Sequence, residues 1–190
     1  MMPHPFLWIA KSSRRTAFWV LAVLAILTMA ALQTMAGPLK TAASPSGIIS
    51  FELAGNLSKI ESILSTWGPV GKMYAGLNLG LDYLFIAAYV GAIGLACALL
   101  GGSLVRHIRL LGLVGTFLAW ALLLAGALDC LENYALIRLL LGSEVNTLAV
   151  FARLCAIPKF VIIFAGLGYV IFGLLLLLTL RKRGRVKRVA

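Results

Sequence analysis

The chain has 190 residues, 62% of them hydrophobic and only 12% charged, with a mean hydropathy of +1.01 and a net charge of +11. Soluble globular proteins carry about 45–50% apolar and about 25% charged residues, so this composition excludes a water-soluble domain. We therefore predict an all-α polytopic protein with a single membrane domain over residues 1–190, built as a bundle of four transmembrane helices.

The positive charge is concentrated on one side of the predicted membrane domain. Eleven of the 17 lysines and arginines lie in residues 11–15, in residues 106–109 and in the tail 181–190, whereas all six acids share the other segments with the remaining cations. The positive-inside rule then places both termini in the cytoplasm, in a multi-pass protein of the cell (inner) membrane. The basic tail is expected to contact the lipid bilayer through anionic lipid headgroups, and no nucleic acid is expected as a partner.

The first apolar run, at about residues 16–35, is predicted to be a retained transmembrane helix. A cleaved signal peptide is the alternative, because residues 34–36 resemble a cleavage site. The apolar stretch is longer than the about 7–15 residues of a typical signal sequence, which favours the retained helix. Further apolar runs predict three more spans, at about residues 74–100, 110–130 and 158–180.

An amphipathic helix is predicted between the first two spans, at about residues 48–67, after a turn-rich linker at 37–45. Apolar side chains recur there at spacings of three and four residues: Ile49, Leu53, Leu57, Ile60, Leu64 and Trp67. Gly68-Pro69 provides its stop signal. Because this segment is too polar to span a bilayer, it either lies in the outer membrane interface, with Phe51 and Trp67 as anchors, or caps the outer mouth of the bundle.

Small residues recur at four-residue spacing in the second span, at Gly76 and Gly80 and at Ala87 and Gly91. Such pairs let helix backbones approach each other closely in lipid. We interpret them mainly as contacts within the chain, and a homo-oligomer or a membrane-protein partner stays open.

The third and fourth spans are predicted to form a hairpin that turns at Gly142-Ser143. If both arms are helical, Cys130 is level with Cys155, and Glu132 is level with Arg153. Residues two apart on a helix point in nearly opposite directions, so the hairpin brings either the cysteines or the ion pair together. We therefore do not favour a disulfide between Cys130 and Cys155.

Polar side chains at membrane depth are the most informative residues. A charge at the centre of a spanning helix costs about 2.5–3.5 kcal/mol on insertion scales, so such groups normally face the bundle or a wet cavity. Asp129, Glu132 and Asn133 share one face of the third span. Other polar residues expected at similar depth are Asn78, Asp82, Tyr83, Tyr134, Arg153 and Lys159.

Two interpretations of this cluster stay open. In the first, it forms a small polar pocket that binds a cation, a proton or a lipid headgroup. In the second, it only fixes the packing of the helices, with Glu132–Arg153 and Asp129–Lys159 as the expected ion pairs.

Several familiar cofactor sites are disfavoured. His4 and His107 fall on the same side of the membrane, so they cannot form a transmembrane haem pair. The chain has no Cys-x-x-Cys motif and no glycine-rich phosphate loop, and Cys97 is expected to be a packing residue. No cofactor is predicted, although the acidic cluster is compatible with a divalent cation or a bound lipid.

Three short strings resemble bacterial four-helix integral membrane proteins to which no activity is assigned: residues 47–54 (GIISFELA), 81–86 (LDYLFI) and 128–133 (LDCLEN). The resemblance covers most of residues 16–180 and implies the four-helix fold but no activity. It also implies that Glu52 belongs with Asp82, Asp129 and Glu132 as a candidate binding residue.

These observations lead to three functional hypotheses. The favoured one is a non-enzymatic accessory or ligand-binding membrane protein whose outer acidic cluster is the site, with Lys159 or Arg153 balancing its charge. The second is a membrane-embedded enzyme that acts on a lipid-soluble substrate, in which Asp82, Asp129 and Glu132 hold a hard divalent metal or act as general acid and base. The third is a proton- or ion-coupled carrier.

Overall fold

The computed structural model describes residues 3–189, and their side chains as far as Leu180. The side chains of the basic tail 181–190 therefore lie outside the described residues. The helices are α1 (Arg14–Thr34), α2 (Ile48–Glu52), α3 (Leu57–Leu104), α4 (Arg109–Leu140) and α5 (Asn146–Val189), with a short 3-10 turn at Gly37–Leu39. Four of them, α1, α3, α4 and α5 as far as Leu180, are long and apolar enough to cross a membrane, as predicted.

The other three long helices are arranged around α3. This helix packs against α1, α4 and α5, and α4 packs along α5. Most of the apolar residues in the second half of α3 are buried, whereas only Thr28 and Leu32 are buried in α1. Thus α1 lies at the edge of the bundle and leaves most of its surface to the surroundings.

Two of the helices are much longer than a bilayer requires. The 48 residues of α3 and the 32 residues of α4 compare with about 20 residues for a single crossing. The additional turns lie at the end of the bundle that carries α2 and the α4–α5 turn, where they pack around a core that includes Phe51, Ile60 and Leu136. A second apolar core, with Leu95 and Leu122, fills the rest of the bundle.

The single amphipathic helix predicted at 48–67 is not what the structure shows. Helix α2 has only five residues, and the chain then breaks before α3 begins at Leu57. Gly55 has a φ of +72°, which glycine adopts without strain, and the Asn56 side chain accepts a hydrogen bond from Lys59 N (2.9 Å). The four-residue spacing of Leu53 and Leu57 runs across this break, so the apolar periodicity alone does not reveal it.

The predicted stop at Gly68-Pro69 is a kink within α3. Gly68 has a φ of +58° and non-helical geometry, and the helix continues through Pro69 to Leu104. Proline cannot donate the hydrogen bond of a continuous helix, and glycine tolerates the left-handed conformation, so the bend falls at this pair.

Phe51 and Trp67 do not anchor the chain at a membrane interface, because both are buried. Their exposed fractions are 0% and 5%, and their ring centroids lie 5.1 Å apart. Trp67 Nε1 donates hydrogen bonds to Leu39 O and to Ser44 Oγ, both at 2.9 Å. Residues 37–67, called the cap below, therefore pack onto the end of the bundle, which is the second of the two arrangements considered from the sequence.

The hairpin of α4 and α5 turns at residues 141–145, and Gly142 lies within it. Asn146, the first residue of α5, accepts a hydrogen bond from Leu57 N at 2.8 Å. This bond ties the start of α5 to the start of α3 and holds the cap against the hairpin.

The predicted small-residue pairs of α3 behave differently from each other. A Cβ on Gly91 would lie 2.6 Å from Leu21 Cδ1, so this glycine admits α1, whereas Gly80 has open space around it. The helices also approach closely at Gly115 of α4, where a Cβ would meet the Tyr169 hydroxyl of α5 and lie 2.7 Å from Cys97 O of α3. The close packing within the chain therefore involves glycines that the simple four-residue spacing did not single out.

Candidate functional site

The site is centred on Lys159 of α5, which is 3% exposed. Its Nζ lies 2.6 Å from Asp129 Oδ1 and 2.8 Å from Glu132 Oε2, both on α4. It also lies 3.6 Å from Glu52 Oε2, at the end of α2. The Asp129–Lys159 pair expected from the sequence is therefore present, and two further carboxylates share the same ammonium group.

Hydrogen bonds extend this cluster to α3. Asp129 Oδ2 accepts a hydrogen bond from the Tyr89 hydroxyl at 2.8 Å. Asp82 Oδ2 accepts a hydrogen bond from Asn133 Nδ2 at 2.7 Å. The polar network therefore connects α2, α3, α4 and α5, and each of these helices contributes at least one carboxyl, hydroxyl or ammonium group.

Asn78 lies at the edge of the network. Its Nδ2 donates to Leu32 O of α1 at 3.4 Å. This bond joins the peripheral helix to α3 at the level of the cluster.

Seven of the eight candidate binding residues lie in or beside this network, and the eighth, Arg153, does not. Arg153 is exposed, and its side chain passes over Gly55, where a Cβ would lie 2.7 Å from Arg153 Cδ. The expected Glu132–Arg153 pair is therefore wrong, since Glu132 contacts Lys159 instead. Positions 153 and 159 are separated by about 240° of rotation around a helix, so only one of them can face the cluster.

The two cysteines that the hairpin places at the same level remain free thiols, as does Cys97. Cys155 and Cys97 are buried and Cys130 is half-buried. Tyr83 donates to Cys130 O at 3.4 Å and Tyr134 accepts a hydrogen bond from Arg138, so neither tyrosine belongs to the acidic network.

Tyr89 is the site residue that the sequence reasoning missed. It lies seven residues after Asp82, which is two helical turns along the same face of α3. A search of that face for hydrogen-bond donors would have found it, whereas an inspection restricted to charged residues and amides does not.

The charges of the network do not balance. Glu52, Asp129 and Glu132 are buried and Asp82 is half-buried, against the single ammonium of Lys159. Buried charges are costly unless they are paired or neutralised. Burial raises the pKa of Glu52 above its ordinary value of 4.5, against the opposing effect of Lys159. The network therefore has room for additional positive charge, either as protons or as a cationic ligand.

Several acceptor atoms are also left without partners. Glu52 Oε2, Glu132 Oε1 and Asn133 Oδ1 are buried and accept no hydrogen bond from the part of the chain that the structure describes. Buried polar groups of folded proteins are normally satisfied. All three atoms are acceptors. Glu52 Oε2 lies 3.6 Å from Lys159 Nζ, within ion-pair distance but beyond hydrogen-bond distance, so it can accept a further donor.

A cavity of about 470 Å³ opens beside the network, within the range of about 300–1,000 Å³ typical of ligand pockets. Its polar lining comes from Asn78, Asp82, Tyr89, Asp129 and Lys159, and from Glu52, Lys40, Gln33 and Ser46 toward the cap. The apolar lining includes Met29, Leu32, Phe85, Phe160 and Ile163. Glu132 and Asn133 lie behind this wall, where they support Lys159 and Asp82.

The carboxylates nearest to Lys159 are engaged by that residue. Its ammonium occupies the position between Asp129 and Glu132. Among the residues that the structure describes, no group of three histidine, cysteine, aspartate or glutamate side chains is placed to hold a metal ion.

Comparison of the chain with protein-family models, with curated proteins and with solved structures finds no match. The function proposed below therefore depends on the geometry and the charges of the site.

Proposed function

We propose that the protein is a multi-pass membrane protein that binds a ligand with a positively charged, hydrogen-bond-donating group in the cavity beside Lys159. The observation that supports this proposal is the imbalance of the lining. Three of the four carboxyl groups of the network, those of Glu52, Asp82 and Asp129, face the cavity, against two lysines. The ammonium of Lys159 is already held by acids, and Lys40 is exposed, so the lining keeps an excess of one acid.

The excess of carboxyl groups in the cavity favours a positively charged ligand. An anionic group in the cavity would lie beside Asp82 and Asp129, whose repulsion Lys159 only partly offsets. A cation would instead gain the attraction of these acids in a water-poor environment, where electrostatic interactions are strong. A donor group such as an ammonium would also satisfy the orphan oxygen of Glu52.

The distribution of basic residues supports one orientation of the bundle. Arg14 and Arg15 begin α1, and Arg106 and Arg109 flank the α3–α4 connection, at the opposite end from the cap. Under the positive-inside rule this end faces the cytoplasm, and both termini lie there. The cap then lies at the outer membrane interface and the cavity opens in the outer half of the membrane. In this orientation the protein's partners are the lipid bilayer and the anionic headgroups that contact the basic tail.

The proposal is tested by matched amphiphiles that differ only in the headgroup. The purified full chain in a non-ionic detergent is titrated with dodecylammonium, dodecanol and dodecanoate, with thermal stabilisation and calorimetry as readouts. We expect dodecylammonium to bind and the other two not to bind. Equal binding of all three probes, or a preference for dodecanoate, would contradict the proposal.

Two variants test whether dodecylammonium binds in the cavity. Asp82→Asn keeps an acceptor for Asn133 Nδ2 but removes a cavity charge, and we expect a loss of affinity for dodecylammonium of about tenfold or more. Glu144→Gln removes one acid that is exposed and outside the cavity, so it should leave binding unchanged.

A proton-coupled carrier is the second candidate, since buried carboxyl groups in excess of Lys159 can exchange a proton for a cationic ligand. Reconstitution in liposomes distinguishes this carrier from a protein that only binds the amine. Because proton and amine are exchanged, a carrier moves the amine opposite to the imposed proton flow and loses this activity in Asp129→Asn, whereas a binding protein shows no net transport above that of protein-free liposomes.

A further inference from the structure

A second concave surface leads away from the acidic cavity. It is an almost wholly apolar groove of about 620 Å³ formed by α1, α3 and α5. Three residues, Met29, Phe85 and Tyr89, line both the groove and the cavity, so the two spaces meet at this point. Tyr89 joins them chemically, because its ring borders the groove while its hydroxyl donates to Asp129.

The groove exists because α1 packs on α3 and leaves the space toward α5 open. The lining residues that would otherwise close it are small, including Ala22 and Ala25 of α1 and Ala92 of α3. The opposite wall comes from Leu167 and Val170 of α5. Side chains of this size leave the space between the helices unfilled.

The apolar surface continues beyond this groove to the far end of α1. A further depression of about 470 Å³ shares Phe18, Ala96 and Val170 with the groove and ends beside Arg15. Met29 follows Arg15 by 14 positions in α1, which corresponds to about 21 Å at 1.5 Å per helical residue. This exceeds half of the about 30 Å hydrocarbon core, which two layers of acyl chains fill. The path therefore has the length of an acyl chain and is too long for a compact group.

We infer that the ligand is a long-chain amine, with its ammonium group in the acidic cavity and a single apolar chain lying in the groove between α1 and α5. This inference rests on the proposed function and specifies the ligand class. The chemistry required is an ammonium group joined to a single extended chain, without a negatively charged phosphate that would lie beside Asp82 and Asp129. The ligand reaches the site sideways from the bilayer, because the groove lies at the lipid-facing edge of α1.

The two parts of the site have different roles. The cavity selects the headgroup through charge and hydrogen bonds. In the bilayer the groove gains little from the hydrophobic effect, since lipid tails are as apolar as the groove, so it selects the chain through close packing.

The test compares alkylammonium probes of different chain length on variants of the groove. The full chain in non-ionic detergent is titrated with butylammonium and with hexadecylammonium. Ala22→Phe fills the groove, and Val20→Phe adds the same side chain on the exposed, groove-free face of α1. Each probe partitions equally into the detergent for both variants, so the comparison between them isolates the groove.

We expect Ala22→Phe to weaken hexadecylammonium binding by about tenfold or more and to leave butylammonium binding unchanged. Val20→Phe should alter neither. If Ala22→Phe does not fold, Ala30→Phe replaces it, because Ala30 also lines the groove near the cavity.

The outcomes separate the inference from the proposed function. If both probes bind the wild type and neither is affected by the groove variants, the cavity binds amines but the groove holds no chain, and the inference is overturned. If neither probe binds the wild type, the proposed function fails first. Lysophosphatidylethanolamine with a hexadecyl-length chain tests the free amine against a phospholipid. Weaker binding than that of hexadecylammonium supports the inference, and equal binding with equal sensitivity to Ala22→Phe would overturn it.

Discussion

The ammonium of Lys159 lies 2.6 Å from the carboxylate of Asp129, and both side chains are almost fully buried. The contact joins α5 to α4 at the boundary between the apolar core under the cap and the core of the remaining bundle. Glu132 and Glu52 approach the same ammonium from α4 and α2. The position of Lys159 is therefore central both to the stability of the fold and to the charge of the cavity.

Replacement of Lys159 by methionine should strongly destabilise the protein. The change retains an apolar stem but leaves Asp129 and Glu132 without their cation, and breaking a buried ion pair in this way costs about 3–5 kcal/mol. Lys40→Met, at an exposed position, is the control, with an expected effect below about 0.5 kcal/mol. Chemical unfolding in detergent measures both. Similar free energies of unfolding for the two variants would refute the assigned role.

Substitution of Glu52 by glutamine should change how stability depends on pH. Because burial raises the pKa of Glu52, its neutral form is favoured in the folded state, so its contribution to stability is present at low pH and is lost as the pH rises above 4.5. Between about pH 5 and about pH 8, where Lys-type amines stay protonated, the free energy of unfolding should fall more for the wild type than for Glu52→Gln. Parallel profiles for the two proteins would show that Glu52 is not the titrating group.

Trp67→Phe should loosen the cap. The phenylalanine keeps an aromatic ring next to Phe51 but cannot donate to Leu39 O or to Ser44 Oγ, and loss of buried hydrogen bonds costs about 1–3 kcal/mol. Trp19→Phe, on an exposed part of α1, provides the matched control. Protease susceptibility of residues 37–67, followed by mass spectrometry, should increase in Trp67→Phe alone. A cap equally resistant in both variants would contradict the packing described here.

Gly115→Ala should disturb the packing of α4 against α3 and α5. The added Cβ would meet the Tyr169 hydroxyl, which donates to Leu111 O, and the backbone carbonyl of Cys97, which cannot move aside as a flexible side chain can. Overpacking of this kind costs about 1–3 kcal/mol. Gly80→Ala serves as the opposite case, because nothing lies within 4 Å and alanine stabilises a helix by about 0.5–1 kcal/mol relative to glycine. The midpoint temperature of thermal unfolding should therefore fall in Gly115→Ala and rise in Gly80→Ala. A shared direction would argue against the α3–α4 contact.

The parts of the fold that follow from hydropathy were predictable from the sequence. Four apolar stretches of sufficient length specify four helices of transmembrane length, and the spacing of Asp129, Glu132 and Asn133 specifies a shared polar face. The Asp129–Lys159 contact follows from the same reasoning, since both residues fall on facing arms of a tight hairpin. These features depend on local periodicity and on the cost of isolated charges in lipid.

Features that depend on rotation around a helix or on local turns were not predictable in this way. The choice of Lys159 over Arg153 as the partner of Glu132 depends on which face of α5 meets α4, and a comparison of heights along the hairpin ignores that rotation. The break at Gly55-Asn56 is short, and the apolar pattern continues across it. The burial of Trp67 within the cap depends on its hydrogen bonds to Leu39 and Ser44, which lie far from it in sequence.

Native mass spectrometry of the protein extracted from its own membrane shows which molecule occupies the acidic cavity. The wild type and Glu144→Gln should each carry a bound amphiphile that contains an amine. Asp82→Asn should lose it, because Asp82 lines the acidic cavity and Glu144 does not. Identification of the released molecule by fragmentation gives its headgroup and chain. A bound molecule without an amine, or the same occupancy in all three proteins, would contradict a cation-binding cavity.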